Sequence, residues 1–363
     1  MTFKSDQPYN DLPLLPLETE LETAAVLKAA IGANRALAEL KGKAESIPNQ
    51  SILINSIILQ EAKASSEIEN VITTNDRMYE AFAAGDGNYD PQTKEVLRYR
   101  EALWKGFNAL ADRPLSTNLF VDLVQTIKQN EAGIRDTPGT VIANPNTNKI
   151  IYWPPEGEDR IRNLLANLET YIHDDTAIDP LVQMAVVHYQ FEAIHPFDDG
   201  NGRTGRILNI LFLVMKELLN LPIVYLSDYI IRHKGDYYRL LREVTEKQAW
   251  EPWILFMLDA VETTAQETMQ RIEDIRTLLQ ETLEKARTEL PARVYSKELV
   301  ELLFEQPYCK IKFLVDRGIA KRQTAGDYLS ELEKAGILKS KQVGRETLYL
   351  NTKLYALLSG TQG

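Results

Sequence analysis

The chain has 363 residues and a formal net charge of −11, with 44% hydrophobic and 26% charged residues, which is typical of a globular protein of two or three domains. Its one cysteine, Cys309, excludes an internal disulfide framework and a thiolate metal cluster, so a reducing cytosol is the expected compartment. The first residues lack the basic and apolar parts of a signal peptide, and no apolar run reaches the roughly 18 residues of a membrane span. We therefore expect a cytoplasmic protein with no membrane partner.

Helical periodicity dominates most of the chain. After a lead-in with several prolines, apolar residues recur at helical spacing from Glu18 to about Lys43. Asn49 or Ser51 could cap a second helix that runs to about Ile68. Further helices are predicted at 90–111, 116–130, 158–174, 179–194, 202–219 and 234–246, with glycine or proline in most of the gaps. The chain is thus predicted to be mainly α.

One segment breaks the helical pattern. Residues 140–142 and 150–153 are β-prone, and turn-forming residues fill the interval 144–148. This pattern predicts a β-hairpin. On this evidence alone, an incidental connection is a more common interpretation than a functional flap.

The C-terminal third begins with a long polar helix predicted at 260–290. Its narrow apolar stripe suits packing against another helix, a link between domains or a homodimer: Met269, Ile272, Ile275, Leu279 and Leu283. After Pro291, helices are predicted at 296–304, near 310–317 and from 321 to 332, followed by a strand pair at 337–339 and 346–350 with a turn at Gly344. Three helices followed by a hairpin are typical of a winged helix-turn-helix domain.

The charge balance reverses locally in this C-terminal region. The chain as a whole is acidic, which argues against nucleic-acid coating over its entire surface. Between residues 310 and 345, however, nine basic residues stand against four acidic ones; the basic ones are Lys310, Lys312, Arg317, Lys321, Arg322, Lys334, Lys339, Lys341 and Arg345. A winged helix with this surplus could contact DNA or another protein, and the sequence favours neither.

The side chains best suited to catalysis and phosphate binding are concentrated between His195 and Arg206. The turn Gly200-Asn201-Gly202 directly precedes a largely apolar run, so several backbone N–H groups and the positive end of a helix dipole point at one spot. Arg203 lies three residues before Arg206, so both can face a bound phosphate from the first helical turn. This arrangement predicts a phosphate-binding site.

Two further side chains give this site reactivity. Asp199 has the oxygen chemistry that a phosphate-bound Mg²⁺ needs, and His195 is suited to general base catalysis near neutral pH. These features alone would serve a kinase, a hydrolase or a simple nucleotide sensor.

The stretch from His195 to Arg206 resembles the signature of the Fic family, His-x-Phe-x-(Asp/Glu)-Gly-Asn-Gly-Arg-x-x-Arg, with every specified position matched. The resemblance covers roughly residues 10–260. It implies a Fic-type helical bundle in which the hairpin at 140–155 is the target-positioning flap. The domains expected from it are an N-terminal helical region at 1–100, a catalytic core at 101–260, a linker helix at 261–290 and a winged helix at 291–363.

The resemblance implies transfer of AMP from ATP to a hydroxyl of a protein. His195 would be the base and Asp199 the ligand of Mg²⁺. The remaining phosphate-binding residues it implies are Gly200, Asn201, Gly202, Arg203, Thr204, Gly205 and Arg206, the last for the γ-phosphate. Tyr238 is the candidate for contact with the nucleoside, although packing between helices is an equally good interpretation of this tyrosine.

A second stretch resembles the family's inhibitory motif, (Ser/Thr)-x-x-x-Glu-(Gly/Asn). Ser65, Glu69 and Asn70 match it at the end of the second predicted helix. A carboxylate there could form a bidentate pair with Arg206 and deprive the γ-phosphate of its partner. The alternative is that Glu69 lies on a solvated helix end.

The leading hypothesis is therefore a self-restrained protein adenylyltransferase that acts on another protein or on itself. A DNA-binding regulator whose nucleotide site only senses ligand is the alternative from another class. A hydrolase that removes AMP from proteins at the same site is an enzymatic variant.

Overall fold

A computed structural model describes residues 3–45, 47, 49–85, 89–143, 147, 149–174 and 177–360. Helices predominate, and the strands form two small antiparallel sheets, so the prediction of a mainly α chain is confirmed. The helices up to the middle of the chain are α1 (Ala24–Glu45), α2 (Gln50–Ile68), α3 (Asn75–Ala84), α4 (Pro91–Ala109), α5 (Thr117–Lys128), α6 (Glu158–His173), α7 (Pro180–Ile194) and α8 (Asn201–Met215).

The later helices are α9 (Leu226–Arg232), α10 (Lys234–Lys247), α11 (Trp250–Glu289), α12 (Lys297–Leu302), α13 (Ile311–Asp316), α14 (Arg322–Lys334) and α15 (Thr352–Ser359). The strands are β1 (Ile142–Ala143), β2 (Ile150–Tyr152), β3 (Tyr308–Cys309), β4 (Lys339–Val343) and β5 (Glu346–Leu350). None of the helices in the described ranges is both long and apolar enough to cross a membrane.

Local capping chemistry explains where several helices begin and end. The side chain of Asn49 accepts a hydrogen bond from the backbone N–H of Ser51 at 3.1 Å and starts α2. Asp179 caps α7, and Pro180 occupies its first turn, where a missing N–H costs nothing. At the other end of α2, Asn70 has φ 61°, a left-handed conformation that asparagine tolerates better than most residues.

Helix α7 lies at the centre of the bundle. Almost all of its side chains are buried, which is the pattern of a helix enclosed on every side. It packs against α6, α8 and α11, and α8 packs in turn against α4 and α5. The loop that joins α7 to α8 is therefore held between two helices whose side chains are almost all buried.

Helix α11 is longer than predicted, because it begins at Trp250 and not near residue 260. Pro252 is compatible with this start, since a proline in the first helical turn removes an N–H group that has no partner inside the helix. The helix packs against α1, α7, α9, α12 and α15. Ile272, Ile275 and Leu279 are consequently buried within the chain, so the stripe no longer supports a homodimer.

Four elements were not predicted: α3, α9, β3 and α15. All are short. Helix α3 has ten residues, and it buries Met78, Tyr79, Ala81 and Ala83 against the rest of the chain. A helix of this length takes its stability from such tertiary packing, which local sequence does not reveal.

The predicted hairpin between α5 and α6 is present. Ile142 pairs with Tyr152 and Ala143 pairs with Ile150 in antiparallel register, so the first strand lies slightly later than the predicted 140–142. Most of the turn predicted at 144–148 lies outside the described residues. The hydroxyl of Tyr152 donates to the carbonyl of Ala193 at 2.8 Å, which ties the hairpin to the last turn of α7.

The C-terminal region forms a three-stranded sheet of order β3-β5-β4 together with α12–α15. Gly344, with φ 57°, makes the turn between β4 and β5, and β4 begins at the end of the predicted 337–339 strand. The winged-helix assignment stays a prediction. This region docks on α3, where Lys341 contacts both Asp76 and Glu80 at 2.8 Å and Tyr308 donates to Asp76.

Candidate active site

The loop between α7 and α8 is shaped by two residues with left-handed backbone. His195 follows the end of α7 with φ 49° and ψ 60°, and its backbone N–H donates to the carbonyl of Phe191 at 3.0 Å. Gly200 precedes α8 with φ 89°, and a Cβ there would lie 3.0 Å from the Val124 side chain. Glycine adopts this conformation without steric cost, whereas it is uncommon for other residues.

Asn201 holds the loop closed with its side chain. Its Oδ1 atom accepts from the backbone N–H of Phe197 at 2.8 Å, and its Nδ2 atom donates to the carbonyl of the same residue at 2.6 Å. The side chain is therefore a structural clasp. An α-helix leaves its first backbone N–H groups without partners inside the helix, so those of residues 201–203 are the ones available to an anion.

Arg206 is fully enclosed and is held by the end of α2. It is 1% exposed, its Nε atom donates to the Ser65 hydroxyl at 2.8 Å, and its Nη2 atom donates to the Ser65 carbonyl and to Glu69 Oε1, each at 2.9 Å. The expected bidentate pair with Glu69 is thus a single hydrogen bond from Nη2, while Ser65 accepts from Nε and Nη2. Burial works to lower the pKa of Arg206, but Glu69 and neighbouring acidic groups raise it above its usual value, so the guanidinium stays charged.

The carboxylate of Glu69 also lies against the first turn of α8. A Cβ at Gly202 would collide with this carboxylate and would lie 2.9 Å from Nη1 of Arg206. Glycine at this position therefore lets Glu69 approach both the helix N-terminus and Arg206. The place where the helix dipole and the arginine favour an anion is occupied by a carboxylate of the chain itself.

A second group of charges lies on the other side of the α8 N-terminus. The buried guanidinium of Arg203 donates to Glu95 and contacts Asp199 at 3.2 Å, and Lys128 contacts Asp199 at 2.5 Å and Glu95 at 3.2 Å. Partial burial works to raise the pKa of Asp199, but Lys128 and Arg203 hold it below its usual value. Asp199 is therefore ionised at neutral pH, and its side chain is 61% exposed.

Asp199 fits a metal ion only together with a phosphate. The part of the chain that the structure describes contains no group of three or more His, Cys, Asp or Glu side chains that could hold a metal ion. Mg²⁺, however, commonly takes one or two carboxylates and completes its coordination with phosphate oxygens and water. A single exposed, ionised carboxylate beside an anion site is the donor set for that arrangement.

The imidazole of His195 is neutral at physiological pH. Burial lowers its pKa to about 4, and the nearby guanidinium of Arg135 acts in the same direction. Its Nδ1 atom is buried and has no hydrogen-bond partner among the described residues. A neutral imidazole can accept a proton, which is the state that a general base requires.

A cavity of about 480 Å³ opens beside this site between the hairpin and α10. Tyr238, 46% exposed, lines it together with Glu69, Asn70, Glu192 and Tyr152. Tyr237, in contrast, is fully buried, and its hydroxyl lies 2.8 Å from Nε2 of His188. Tyr238 is thus the tyrosine that faces the cavity.

Comparison with known proteins gives the family. Residues 27–108 match the model of the Fic/DOC family N-terminal region, and residues 114–213 match the model of the Fic/DOC family. The chain belongs to the Fic/DOC family. Residues 278–354 match a third model, the C-terminal domain of the SoFic-like protein adenylyltransferases. The family inferred from the His195–Arg206 motif is therefore confirmed.

Curated relatives match over part of their length. A probable protein adenylyltransferase of Aquifex aeolicus is 36% identical over 86 residues, which are 24% of this chain and 24% of that protein. Protein adenylyltransferase Fic of Aedes aegypti is 30% identical over 112 residues, which are 30% of this chain and 21% of that protein. The matched stretches thus span less than a quarter of these relatives.

Solved structures share the fold over much more of the chain. A Fic family protein from Desulfovibrio desulfuricans superposes with a TM-score of 0.59 at 18% identity, covering 91% of this chain and 97% of that one. Fic-1 from C. elegans superposes with a TM-score of 0.52 at 19% identity, covering 68% and 74%. The helical bundle is therefore the fold that these proteins have in common.

Two residues of the Fic motif lie inside the first turns of α8. The backbone N–H of Thr204 donates to the carbonyl of Gly200 at 3.0 Å, and the Thr204 side chain is buried. Gly205 faces α7, where a Cβ would lie 2.5 Å from Glu192 Oε1. Thr204 and Gly205 are thus packed inside the bundle, and their assignment to phosphate binding stays a prediction.

The other histidine near the motif serves the core. His188 is fully buried and stacks on Trp253 with ring centroids 5.9 Å apart, and burial lowers its pKa to about 3. It contacts Tyr237 and not His195, in agreement with the interpretation of His188 as a packed residue.

Four charged residues of the site gave no signal in the sequence: Glu95, Lys128, Arg135 and Glu192. Each lies outside the motif or in the variable part of its lead-in helix, and each reaches the site through tertiary packing. Burial raises the pKa of Glu192 to about 7, against the effect of Arg206, so this carboxyl group is partly protonated near neutral pH.

Proposed function

We propose that the chain is a protein adenylyltransferase that uses ATP and Mg²⁺ and modifies a Ser, Thr or Tyr hydroxyl of another protein or of itself. The observation that carries the proposal is the pairing of a neutral His195 with an anion cradle at the start of α8, one short loop apart. The names of the matched relatives, protein adenylyltransferases, support the same reaction.

In the proposed reaction, the target hydroxyl attacks the α-phosphate of ATP, a new O–P bond forms and the bond to pyrophosphate breaks. His195 accepts the hydroxyl proton. The backbone N–H groups of residues 201–203 and the guanidinium of Arg203 stabilise negative charge on the phosphates, and Arg206 binds the γ-phosphate. Asp199 would hold Mg²⁺ against the phosphates, and the ion would supply charge neutralisation of the leaving pyrophosphate. Tyr238 would contact the nucleoside in the adjoining cavity.

We also propose that Glu69 restrains this activity. Its carboxylate lies against Gly202 and pairs with Arg206, so it competes with the γ-phosphate for the same cation. Ser65 supports the restraint because its hydroxyl and carbonyl accept hydrogen bonds from Nε and Nη2 of Arg206, and the left-handed Asn70 turns the chain away after the carboxylate. ATP can then bind productively only when Glu69 moves.

Labelling with radioactive or fluorescent ATP analogues tests the reaction. Purified full-length protein with Mg²⁺ should transfer AMP to itself or to proteins in an extract, and His195→Ala should abolish the transfer. Asp199→Asn should raise the Mg²⁺ concentration needed for half-maximal labelling. Labelling by His195→Ala at the rate of the parent protein would refute the assigned chemistry. Loss of AMP from pre-labelled protein would reveal the hydrolytic variant of the reaction.

DNA binding by the C-terminal region is a second candidate function. Of the nine basic residues between 310 and 345, four form no ion pair within the described ranges: Lys321, Arg322, Lys339 and Arg345. Lys321 and Arg322 stand at the start of α14, where backbone N–H groups also favour phosphate. Gel-shift titration of the full chain at several salt concentrations tests this: specific binding should weaken steeply with salt, and absent or salt-independent binding would exclude it.

A further inference from the structure

The end of α7, which carries His195, is capped by side chains from outside the Fic motif. An α-helix leaves its last four carbonyl groups without partners inside the helix. In α7 the carbonyl of Ala193 accepts from the Tyr152 hydroxyl at 2.8 Å, and that of Ile194 accepts from Arg135 Nη2 at 3.3 Å. The carbonyl of His195 itself accepts from Arg135 Nε at 2.7 Å.

Arg135 joins three segments of chain at this point. Its Nη2 atom also donates to the carbonyl of Pro155 at 2.5 Å, just after β2, and its backbone N–H donates to the carbonyl of Pro196 at 2.9 Å. The residue is 3% exposed. Every one of these partners is a backbone carbonyl, so the guanidinium fixes the path of the chain on both sides of His195.

The location of the charge is favourable for this role. Carbonyl groups at a helix C-terminus carry partial negative charge, and a cation there is stabilising. The planar guanidinium directs several N–H groups at once, which a lysine ammonium cannot do with the same geometry. Because His195 has the left-handed backbone that is uncommon for residues other than glycine, its position depends on contacts of this kind.

We infer that Arg135 is the positioning residue of His195, and that Tyr152 shares this role, so that the base and the β1–β2 hairpin form one unit. The inference rests on the proposed function, since it assigns His195 as the base. Arg135 touches neither the anion cradle nor the cavity beside it, so its loss should reduce the rate of the chemical step and leave nucleotide binding intact.

Steady-state kinetics of full-length variants test the inference, with the Glu69→Gly form as parent so that the proposed restraint is absent. Arg135→Gln should lower kcat by about 100-fold, the effect of misplacing a catalytic group by about 1 Å, with KM for ATP changed less than about threefold. Arg135→Lys should recover part of kcat, and Tyr152→Phe, which removes one hydroxyl, should lower kcat by roughly three- to tenfold.

Arg100→Gln is the matched control, because Arg100 is a half-buried arginine of α4 that hydrogen-bonds Asn55 at 2.7 Å, away from the proposed catalytic residues. It should lower the melting temperature and leave kcat unchanged. NMR resonances of the His195 ring nitrogens, assigned by comparison with His195→Ala, should shift in Arg135→Gln and remain in place in Arg100→Gln.

The outcomes separate the two proposals. A parent protein that labels no target refutes the proposed function, whereas an active parent with unchanged kcat and unchanged ring resonances in Arg135→Gln refutes the positioning role. If Arg135→Gln does not fold, Arg135→Lys and Tyr152→Phe decide, and parental kcat in both would overturn the inference. A loss confined to melting temperature would also overturn it, since that result indicates a purely structural residue.

Discussion

Replacing Glu69 by glycine is expected to raise the labelling rate, and the structure gives the size of the effect. A hydrogen bond to a charged group contributes about 1.5–3 kcal/mol. Arg206 is 1% exposed, but the Glu69 side chain is 34% exposed, so solvent screening favours the lower part of this range, about 1.5–2 kcal/mol. Since each 1.4 kcal/mol is about tenfold in an equilibrium, the fraction of protein competent for ATP should rise about 10- to 30-fold.

Initial rates of AMP incorporation at ATP concentrations below KM measure this change. Glu67→Gly is the matched control: it introduces glycine two residues earlier, in the last turn of α2, but the Glu67 side chain pairs with Lys63 at 3.7 Å and not with Arg206. Glu67→Gly is the harsher change for the helix, because glycine inside α2 costs about 1 kcal/mol whereas glycine at a helix C-terminus is well tolerated. The reasoning is refuted if Glu69→Gly labels at the parental rate, or if Glu67→Gly accelerates labelling equally.

Thermal unfolding adds a readout that does not depend on catalysis. Without nucleotide, Glu69→Gly leaves the buried Arg206 without its carboxylate and should lower the free energy of unfolding by about 1–3 kcal/mol. ATP then supplies the missing anion, so it should raise the melting temperature of Glu69→Gly more than that of the parent protein. Equal shifts in the two proteins would show that Glu69 does not compete with ATP.

Three further predictions concern the base, the helix contact and the C-terminal region. His195 must be neutral to act as the base, and its pKa is lowered to about 4. The value of kcat/KM in a labelling assay should therefore fall only as the pH approaches about 4. A pH profile with its midpoint near the ordinary histidine pKa of about 6.5 would contradict the buried environment of His195. Gly205→Ala should destabilise the chain by about 1–3 kcal/mol in urea unfolding, because its Cβ would lie 2.5 Å from Glu192 Oε1 and 3.2 Å from Phe191 Cδ1 on α7. An unchanged midpoint would show that these two side chains move aside at no cost. Lys341→Met should lower the free energy of unfolding by about 1 kcal/mol or less, because the ion pairs between Lys341 and α3 are partly exposed. A larger loss would mean that the C-terminal region depends on this contact to fold.

The parts of the molecule that local sequence predicted well are those fixed by local chemistry. Asn49, Asp179 and Gly200 lie where capping preferences and left-handed backbone require such residues, and the helices around them were predicted within a few residues. The Fic motif is continuous in sequence, so its spacing alone identified the family.

The rest of the site depends on contacts between residues far apart in sequence. Glu95 meets both Arg203 and Lys128 only because α4, α5 and α8 pack together, and nothing in the local sequence of Glu95 and Lys128 distinguishes them from other surface charges. Arg135 follows a short segment of turns and loop between α5 and the hairpin, where no periodicity exists to interpret. Buried charges of this kind become visible only when the three-dimensional arrangement supplies their partners.

The excess of basic residues in the C-terminal region is another feature whose meaning depends on tertiary contacts that the sequence does not reveal. Lys310, Lys312, Arg317, Lys334 and Lys341 all form ion pairs within the chain, and those of Lys341 hold the region on α3. A count of charges therefore overstates the cationic surface that is free for DNA. The argument for nucleic-acid binding depends on the start of α14 and no longer on the surplus as a whole.

The contact between Glu69 and Arg206 also sets how strong a releasing signal must be. A ligand shifts an equilibrium only by the difference between its affinities for the two states. If the restraint is worth about 1.5–2 kcal/mol, a ligand that binds the released state about 10- to 30-fold more tightly brings the two states to equal population. Asn49, the N-cap of α2, contacts Glu305 at 2.9 Å, and α3 after that helix is bound by Lys341, so the C-terminal region touches the chain on both sides of the inhibitory residues. A partner that binds the C-terminal region and prefers the released state by this factor is therefore sufficient to change how often Arg206 is free for ATP.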